Sequence, residues 1–158
     1  PGAPGEVWAR GGSVFTGYLG GVESPFTAGW FRTGDLGVIG PDGGLRLAGR
    51  ASDLIISGGL NVTPLEVEAA IASHPAVHES AVIGVPDADL GEAVAAAVVL
   101  RAGAVASPDE IAAHVRTHLA AYKKPRRVIC LDALPRNAVG KVDRVALRAA
   151  LGATRAEG

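Results

Sequence analysis

Leu54-Ile55-Ile56-Ser57-Gly58-Gly59-Leu60-Asn61-Val62-Thr63-Pro64-Leu65-Glu66 marks the point at which this chain changes character. Leu54 to Ile56 predicts a short strand, Ser57-Gly58-Gly59 interrupts it, and Leu60-Asn61-Val62 resumes extended structure. Thr63-Pro64-Leu65-Glu66 then has the form of a capping box, with threonine at the N-cap, proline at N1 and glutamate at N3. The helix it opens carries Leu65, Val67, Ala69, Ala70 and Ile71. It is expected to stop before His74-Pro75, because a proline drives its predecessor out of the helical region. Farther on, Val77 to Val85 is a strand candidate, with Ala81, Ile83 and Val85 alternating against Val82 and Gly84. Glu92 to Leu100 has no charge after its first residue, as expected of a strand buried on both faces. Ser107-Pro108-Asp109-Glu110 repeats the capping box and opens a helix to about Ala120, with Ile111, Val115 and Leu119 on one stripe. Arg127 to Leu131 is a strand, and an Arg-rich helix begins from Val142. This order predicts a small α+β domain, a mixed sheet with helices, from about Asp53 onward.

Upstream the pattern is β-rich. Glu6-Val7-Trp8-Ala9 and Ser13-Val14-Phe15 are short apolar runs separated by glycines. Leu36 to Ile39 and Leu45 to Ala48 flank Gly40-Pro41-Asp42-Gly43-Gly44, whose residues supply the fixed and positive φ values of a hairpin turn. The segment has too few apolar residues and no helices with which to close its own core. It is expected to be the edge of a larger domain.

The 158 residues suit one domain, or a small domain with a piece of another, and 48% are apolar. A net charge of -1 leaves no electrostatic footprint for nucleic acid or an anionic membrane, and 4% aromatics offer few stacking platforms. Cys130, the one cysteine, permits no intrachain disulfide and is expected to be inert core. No apolar run approaches the roughly 20 residues of a membrane helix, and the start lacks the pattern of a leader. The expected location is cytoplasmic, without membrane insertion. A chain that starts on proline and contains no methionine is expected to be part of a longer protein.

Three segments carry the chemistry. Gly29-Trp30-Phe31-Arg32-Thr33-Gly34-Asp35 puts a carboxylate after a tight turn. Gly49-Arg50-Ala51-Ser52-Asp53 is a short charged joint. Leu134-Pro135-Arg136-Asn137-Ala138-Val139-Gly140-Lys141 puts a lysine after a Pro/Asn/Gly-rich turn. In this order they resemble the C-terminal third of the adenylate-forming enzymes, the AMP-dependent synthetases and ligases that include acyl-CoA synthetases, peptide-synthetase adenylation domains and luciferases. The resemblance runs from Gly5 to about Leu151. It implies the β-rich C-terminal edge of a large ATP- and acyl-binding domain (1–49), a hinge (50–53), a C-terminal lid domain (54–152) and a tail (153–158).

The same resemblance assigns roles. A lysine after a glycine turn is ordinarily a solvated surface residue. In the family frame, Lys141 contacts the acyl carboxylate and the α-phosphate during adenylation, where a point charge offsets repulsion between two anionic reactants. Asp35, otherwise a common turn aspartate, would accept hydrogen bonds from the ATP ribose hydroxyls, and Arg50 would reach the ribose or phosphates. Trp30 and Phe31 are read as packing. The family places Asp or Lys two residues beyond this arginine, at the pivot; here that position is Ser52, and Asp53 is its candidate substitute. Ser57, Gly58 and Gly59 would line the pantetheine tunnel, or simply form a turn between strands. Tyr122, Lys124 and Arg126 would meet the nucleotide end of coenzyme A, or form a solvated basic connector. His114 and His118 stand four apart on one helix but lack a third ligand, so a surface pair is expected and no metal site is assigned.

The implied reaction is an ATP-dependent acid–thiol ligation, with Mg2+ held by residues outside this chain and coenzyme A as acceptor. The run Ile55 to Pro64, with Glu79-Ser80-Ala81-Val82-Ile83-Gly84-Val85-Pro86, is similar to fatty-acyl and malonyl-type synthetases. Expected partners are a small carboxylic acid, ATP, coenzyme A and the missing N-terminal domain. The chain alone is expected to bind ATP weakly and to catalyse nothing. The alternatives are a module that loads a carrier protein and a non-catalytic remnant.

Overall fold

A computed structural model describes residues 4–18 and 24–153. It divides into two compact units, the first ending at Ser52 and the second beginning at Asp53. All but the first residue of the expected tail lies outside the described residues.

The first unit is an antiparallel sheet of β1 (Gly5–Ala9), β2 (Phe26–Thr27), β3 (Trp30–Ile39) and β4 (Leu45–Arg50). The long β3 is its spine and pairs with the other three. The Pro-Asp-Gly-Gly hairpin forms as the sequence predicts: Gly43 has φ 74° and donates to Gly40 O, and Asp42 accepts the Gly44 N–H. The second expected run, Ser13-Val14-Phe15, is not a strand. Gly11 begins a tight turn, closed by Val14 N–H on Gly11 O, and Phe15 meets Phe26 and Phe31 at ring distances of 5.6 and 5.0 Å. Aromatic packing here overrides strand propensity. Phe31 is thus packing, whereas Trp30 is exposed beneath the Arg10 guanidinium, 4.9 Å from its ring.

The second unit is built on β5 (Ile55–Ser57), β6 (Leu60–Val62), β7 (Val77–Asp87), β8 (Gly91–Leu100) and β9 (Arg127–Cys130). β8 is central, antiparallel to β7 and, at Gly91, to β5, and parallel to β9. Helices α1 (Pro64–Ala72), α2 (Pro108–His118) and α3 (Arg144–Ala153) cover it. Both capping boxes form, and Asp143 caps α3 by accepting from Val145 N and Ala146 N.

The two-faced burial of β8 follows its period of two. Val94, Ala96 and Val98 join Val67, Ile71, Ile111 and Val115 on one side. Ala93, Ala95, Ala97 and Val99 join Ile83, Leu147 and Leu151 on the other. Burial of each large aliphatic side chain stabilises the fold by about 1.5–3 kcal/mol relative to exposure. A register shift between Val77 and Glu79 turns Val77 to the same side as Val82, across the expected alternation.

Cys130 corrects the sequence reading, because it is exposed. β9 pairs only with β8 and lies at an edge, so the end of this strand has no second neighbour to cover it.

Three of the four histidines, His74, His114 and His118, gather by α1 and α2. His114 lies 5.0 Å from His74 and 4.5 Å from His118, ring to ring. The Ser73 hydroxyl donates to Ala70 O, so His114 Nε2 must donate to Ser73 Oγ, 2.8 Å away. Burial, and then the nearby His118 and His74, hold the His114 pKa below its ordinary value. The unfolded chain therefore takes up this proton first as pH falls below about 6.5. Stability is lost from there down to the folded pKa, and none of this loss remains above the unfolded value. We expect a lower thermal midpoint at about pH 5.5 than at about pH 7.5, with the gap narrowed in His114→Gln. Equal gaps in both proteins would show that this ring does not carry the effect.

Candidate functional site

In the first unit the register of β3 against β4 puts Asp35 opposite Arg50. The two pair at 3.1 Å, and Arg50 also donates to Thr33 O at 2.8 Å. Thr33 fixes the approach: its hydroxyl donates to Val7 O and accepts from Asp35 N–H. Gly34, at φ 72°, lets the strand bend there, and a Cβ on it would lie 3.5 Å from the Arg50 guanidinium. The Asp35 side chain is 33% exposed, so acceptor capacity remains for outside donors. Two residues separated in sequence thus form one partly exposed carboxylate–guanidinium unit.

In the second unit a groove of about 520 Å³ is lined by Ser57, Gly58 and Leu60 from the β5–β6 turn, by Leu90 and Val94, and by Ala121, Tyr122, Lys124 and Arg126. The structure brings Ser57, Gly58, Tyr122, Lys124 and Arg126 to one place; Gly59 shares the turn but not the lining. Gly58 has φ 57° and donates to Leu90 O, and a Cβ there would stand 3.1 Å from the Leu90 side chain. The groove therefore combines a wall without side chain, an aromatic ring and two cations. Such a surface suits a slender, anionic, partly apolar molecule.

Lys141 stands outside this groove. Asn137 organises its turn by accepting from the Val139 and Lys141 N–H groups and by receiving Gly140 N–H on its own carbonyl. Gly140 has φ 79°, as the turn requires. Arg136 clamps the turn, donating to Gly140 O at 3.0 Å and pairing with Glu79 on β7 at 2.6 Å. Lys141 itself is exposed, and among the described residues no hydrogen bond or ion pair reaches its ammonium. A rigid turn presenting an unpaired cation can deliver charge to an anionic group that comes to meet it.

Ser52 and Asp53 lie in the short 3₁₀ turn Ala51–Asp53, where one unit gives way to the other. Asp53 pairs with Arg144 at 3.3 Å, and Arg144 also donates to Val82 O. Among the described residues no group of three or more His, Cys, Asp or Glu side chains is arranged to hold a metal ion.

Sequence reasoning passed over Asp87 and Lys123. Asp87 accepts from Asp89 N–H and Leu90 N–H and lies 3.5 Å from Arg126. Those two backbone donors, and then Arg126, hold its carboxyl below the usual carboxylate range. The Pro86-Asp87 pair before a turn was the available signal. Lys123 turns from the groove to Glu66; no local pattern could have shown that, because its partner lies on α1.

Residues 66–141 match the family model of the AMP-binding enzyme C-terminal domain. The chain belongs to the adenylate-forming superfamily. It is 46% identical, over 91% of its length, to a methyl-dioxo-octahydro-indenyl-propanoyl:CoA ligase of Mycobacterium tuberculosis. It is 42% identical, again over 91%, to an oxalate–CoA ligase of Arabidopsis thaliana. It spans about 29% of the length of each. The structure superimposes on ATP-bound MatB from Rhodopseudomonas palustris with a TM-score of 0.86 and 44% identity, covering 94% of this chain and 30% of that one.

Proposed function

We propose that this chain provides the nucleotide-contacting edge and the mobile C-terminal lobe of an AMP-forming acid–thiol ligase. The protein joins a carboxylic acid to coenzyme A in two steps. In the first, a carboxylate oxygen attacks the α-phosphorus of ATP and pyrophosphate leaves, with the Lys141 charge over the reacting anions. Asp35 accepts the ribose hydroxyls and Arg50 supports it. In the second, the lobe turns about Ser52 and Asp53, withdrawing Lys141 and presenting the groove. The coenzyme A thiolate then attacks the acyl carbon and AMP leaves. Lys124 and Arg126 face the phosphates, Tyr122 the adenine, and Gly58 gives the pantetheine arm room.

The observation that carries this reading is the division of labour within the second unit. An unpaired lysine stands on a clamped turn, and a separate glycine-walled basic groove contains none of that turn. The acyl group is proposed to be a fatty or short malonate-like acid, from the likeness of the Ile55–Pro64 segment to those synthetases. Two relatives of similar identity are named for unlike acids, so overall identity does not set that choice.

The test is to supply the full-length protein with Mg-ATP, coenzyme A and a panel of carboxylic acids, and to follow AMP, pyrophosphate and thioester. Equimolar AMP and acyl-CoA are expected with some acids. Thioester on a carrier protein but none on coenzyme A would overturn the acceptor assignment. Asp35→Ala should raise the KM for ATP by about 10- to 100-fold, because two hydroxyl bonds to a charged acceptor are lost. Steady-state kinetics at saturating acid would read the change, and an unaltered KM would remove Asp35 from the nucleotide site.

A further inference from the structure

Lys123 sits between Tyr122 and Lys124 yet does not line the groove. Its ammonium lies 2.5 Å from Glu66 Oε2, with only 19% of the lysine side chain and 30% of the glutamate side chain exposed. Exposed ion pairs contribute little, but shielding from water strengthens a pair and raises the cost of breaking it. Burial alone would pull the Lys123 pKa down; the hydrogen bond and charge of Glu66, with a smaller contribution from Tyr122, outweigh it and hold the pKa above its ordinary value.

Glu66 does two things with one carboxylate. Oε1 accepts Thr63 N–H at 3.1 Å, closing the capping box at the exit of β6, while Oε2 holds Lys123. The lining has two separately folded parts here: Ser57, Gly58 and Leu60 lead into Thr63, and Tyr122, Lys124 and Arg126 flank Lys123. Among the described residues no other hydrogen bond or ion pair joins 121–126 to β5, β6 or α1. The other polar ties that leave that segment run elsewhere, from Lys123 N–H to Ala120 O, from Arg126 N–H to Val94 O and from the Arg126 guanidinium to Asp87.

We propose that the Lys123–Glu66 pair is a positioning device that sets the spacing of the groove, so that Lys123 governs affinity for the thiol co-substrate without touching it. This rests on the reading of the groove as the coenzyme A site. Without the pair, residues 121–124 lose their polar tie to α1 and can shift against the β5–β6 turn, while Arg126 stays held by Val94 and Asp87. The Tyr122 ring and Lys124 then no longer hold one spacing from the glycine wall, and part of the preorganisation is lost.

The test uses the full-length enzyme with Lys123→Gln, Glu66→Gln and Lys123→Arg. The glutamine at 66 keeps an oxygen for Thr63 N–H and removes only the charge. Two half-reactions are read: ATP–pyrophosphate exchange with the acid, and thioester formation from pre-made acyl-adenylate with coenzyme A varied. Both Gln variants should raise the KM for coenzyme A by about tenfold, with kcat at saturating thiol within about twofold and exchange unchanged. Lys123→Arg should return the KM to within about threefold of the parent. An unaltered KM in the Gln variants overturns the proposal. So does a parallel fall in both half-reactions, or loss of folding in both, because the pair would then serve the fold alone. Failure of the underlying reading is distinguishable, since the parent enzyme itself would make no thioester with coenzyme A.

Discussion

Lys141→Ala in the full-length enzyme should lower adenylate formation by about 10²–10³-fold, the usual cost of removing one charge-stabilising group from a transition state. The ammonium stands on a turn clamped by Asn137 and Arg136, exposed and with no partner among the described residues. No described residue of its own unit pairs with the ammonium, so thermal stability should stay within the scatter typical of surface substitutions. Thioester formation from pre-made acyl-adenylate should be largely spared, because the second step is proposed to run with this turn withdrawn. Lys141→Arg should rescue poorly, since a planar fork does not replace a compact point charge. The assay is ATP–pyrophosphate exchange beside single-turnover thioester formation. Equal losses in the two half-reactions would remove the main support for a lobe that works with two faces.

Gly58→Val should do the reverse, lowering thioester formation from pre-made adenylate by about 10–10²-fold while sparing exchange. The position has φ 57°, where a β-branched residue is strained, and the first added carbon would already lie 3.1 Å from Leu90. Leu90 must move or the turn must open, and either change alters the lining where the pantetheine arm is proposed to pass. Gly58→Ala, with the smallest added side chain, should fall between the parent and the valine variant. Because Gly58 N–H also donates to Leu90 O, a melting curve must accompany the kinetics. A valine variant with intact melting and unchanged thiol kinetics would place the thiol path elsewhere. Together the two substitutions separate the half-reactions from opposite sides.

Much of the second unit was legible because its signals are local. Thr63-Pro64-Leu65-Glu66 and Ser107-Pro108-Asp109-Glu110 each satisfy their own helix start within one turn, so no distant partner is needed to place them. The run after Glu92 is buried on both faces because a charge-free strand has no side to offer water. The misreadings share one cause. Ser13-Val14-Phe15 has strand-like residues, but Phe15 is held in a turn by rings from β2 and β3. Cys130 has the neighbours of a core residue, yet β9 lies at an edge, which pairing order decides and composition does not.

From its residues alone the chain specified where the two capped helices start, where the Pro-Asp-Gly-Gly hairpin turns and which turn carries Lys141, since these depend on dihedral preferences and caps acting over a few positions. Tertiary structure alone decided that Asp35 and Arg50 meet across β3 and β4, that three distant segments share one groove, and that Lys123 turns from that groove to Glu66. Strand register and sheet order create those contacts, and both are set by packing the whole apolar face at once.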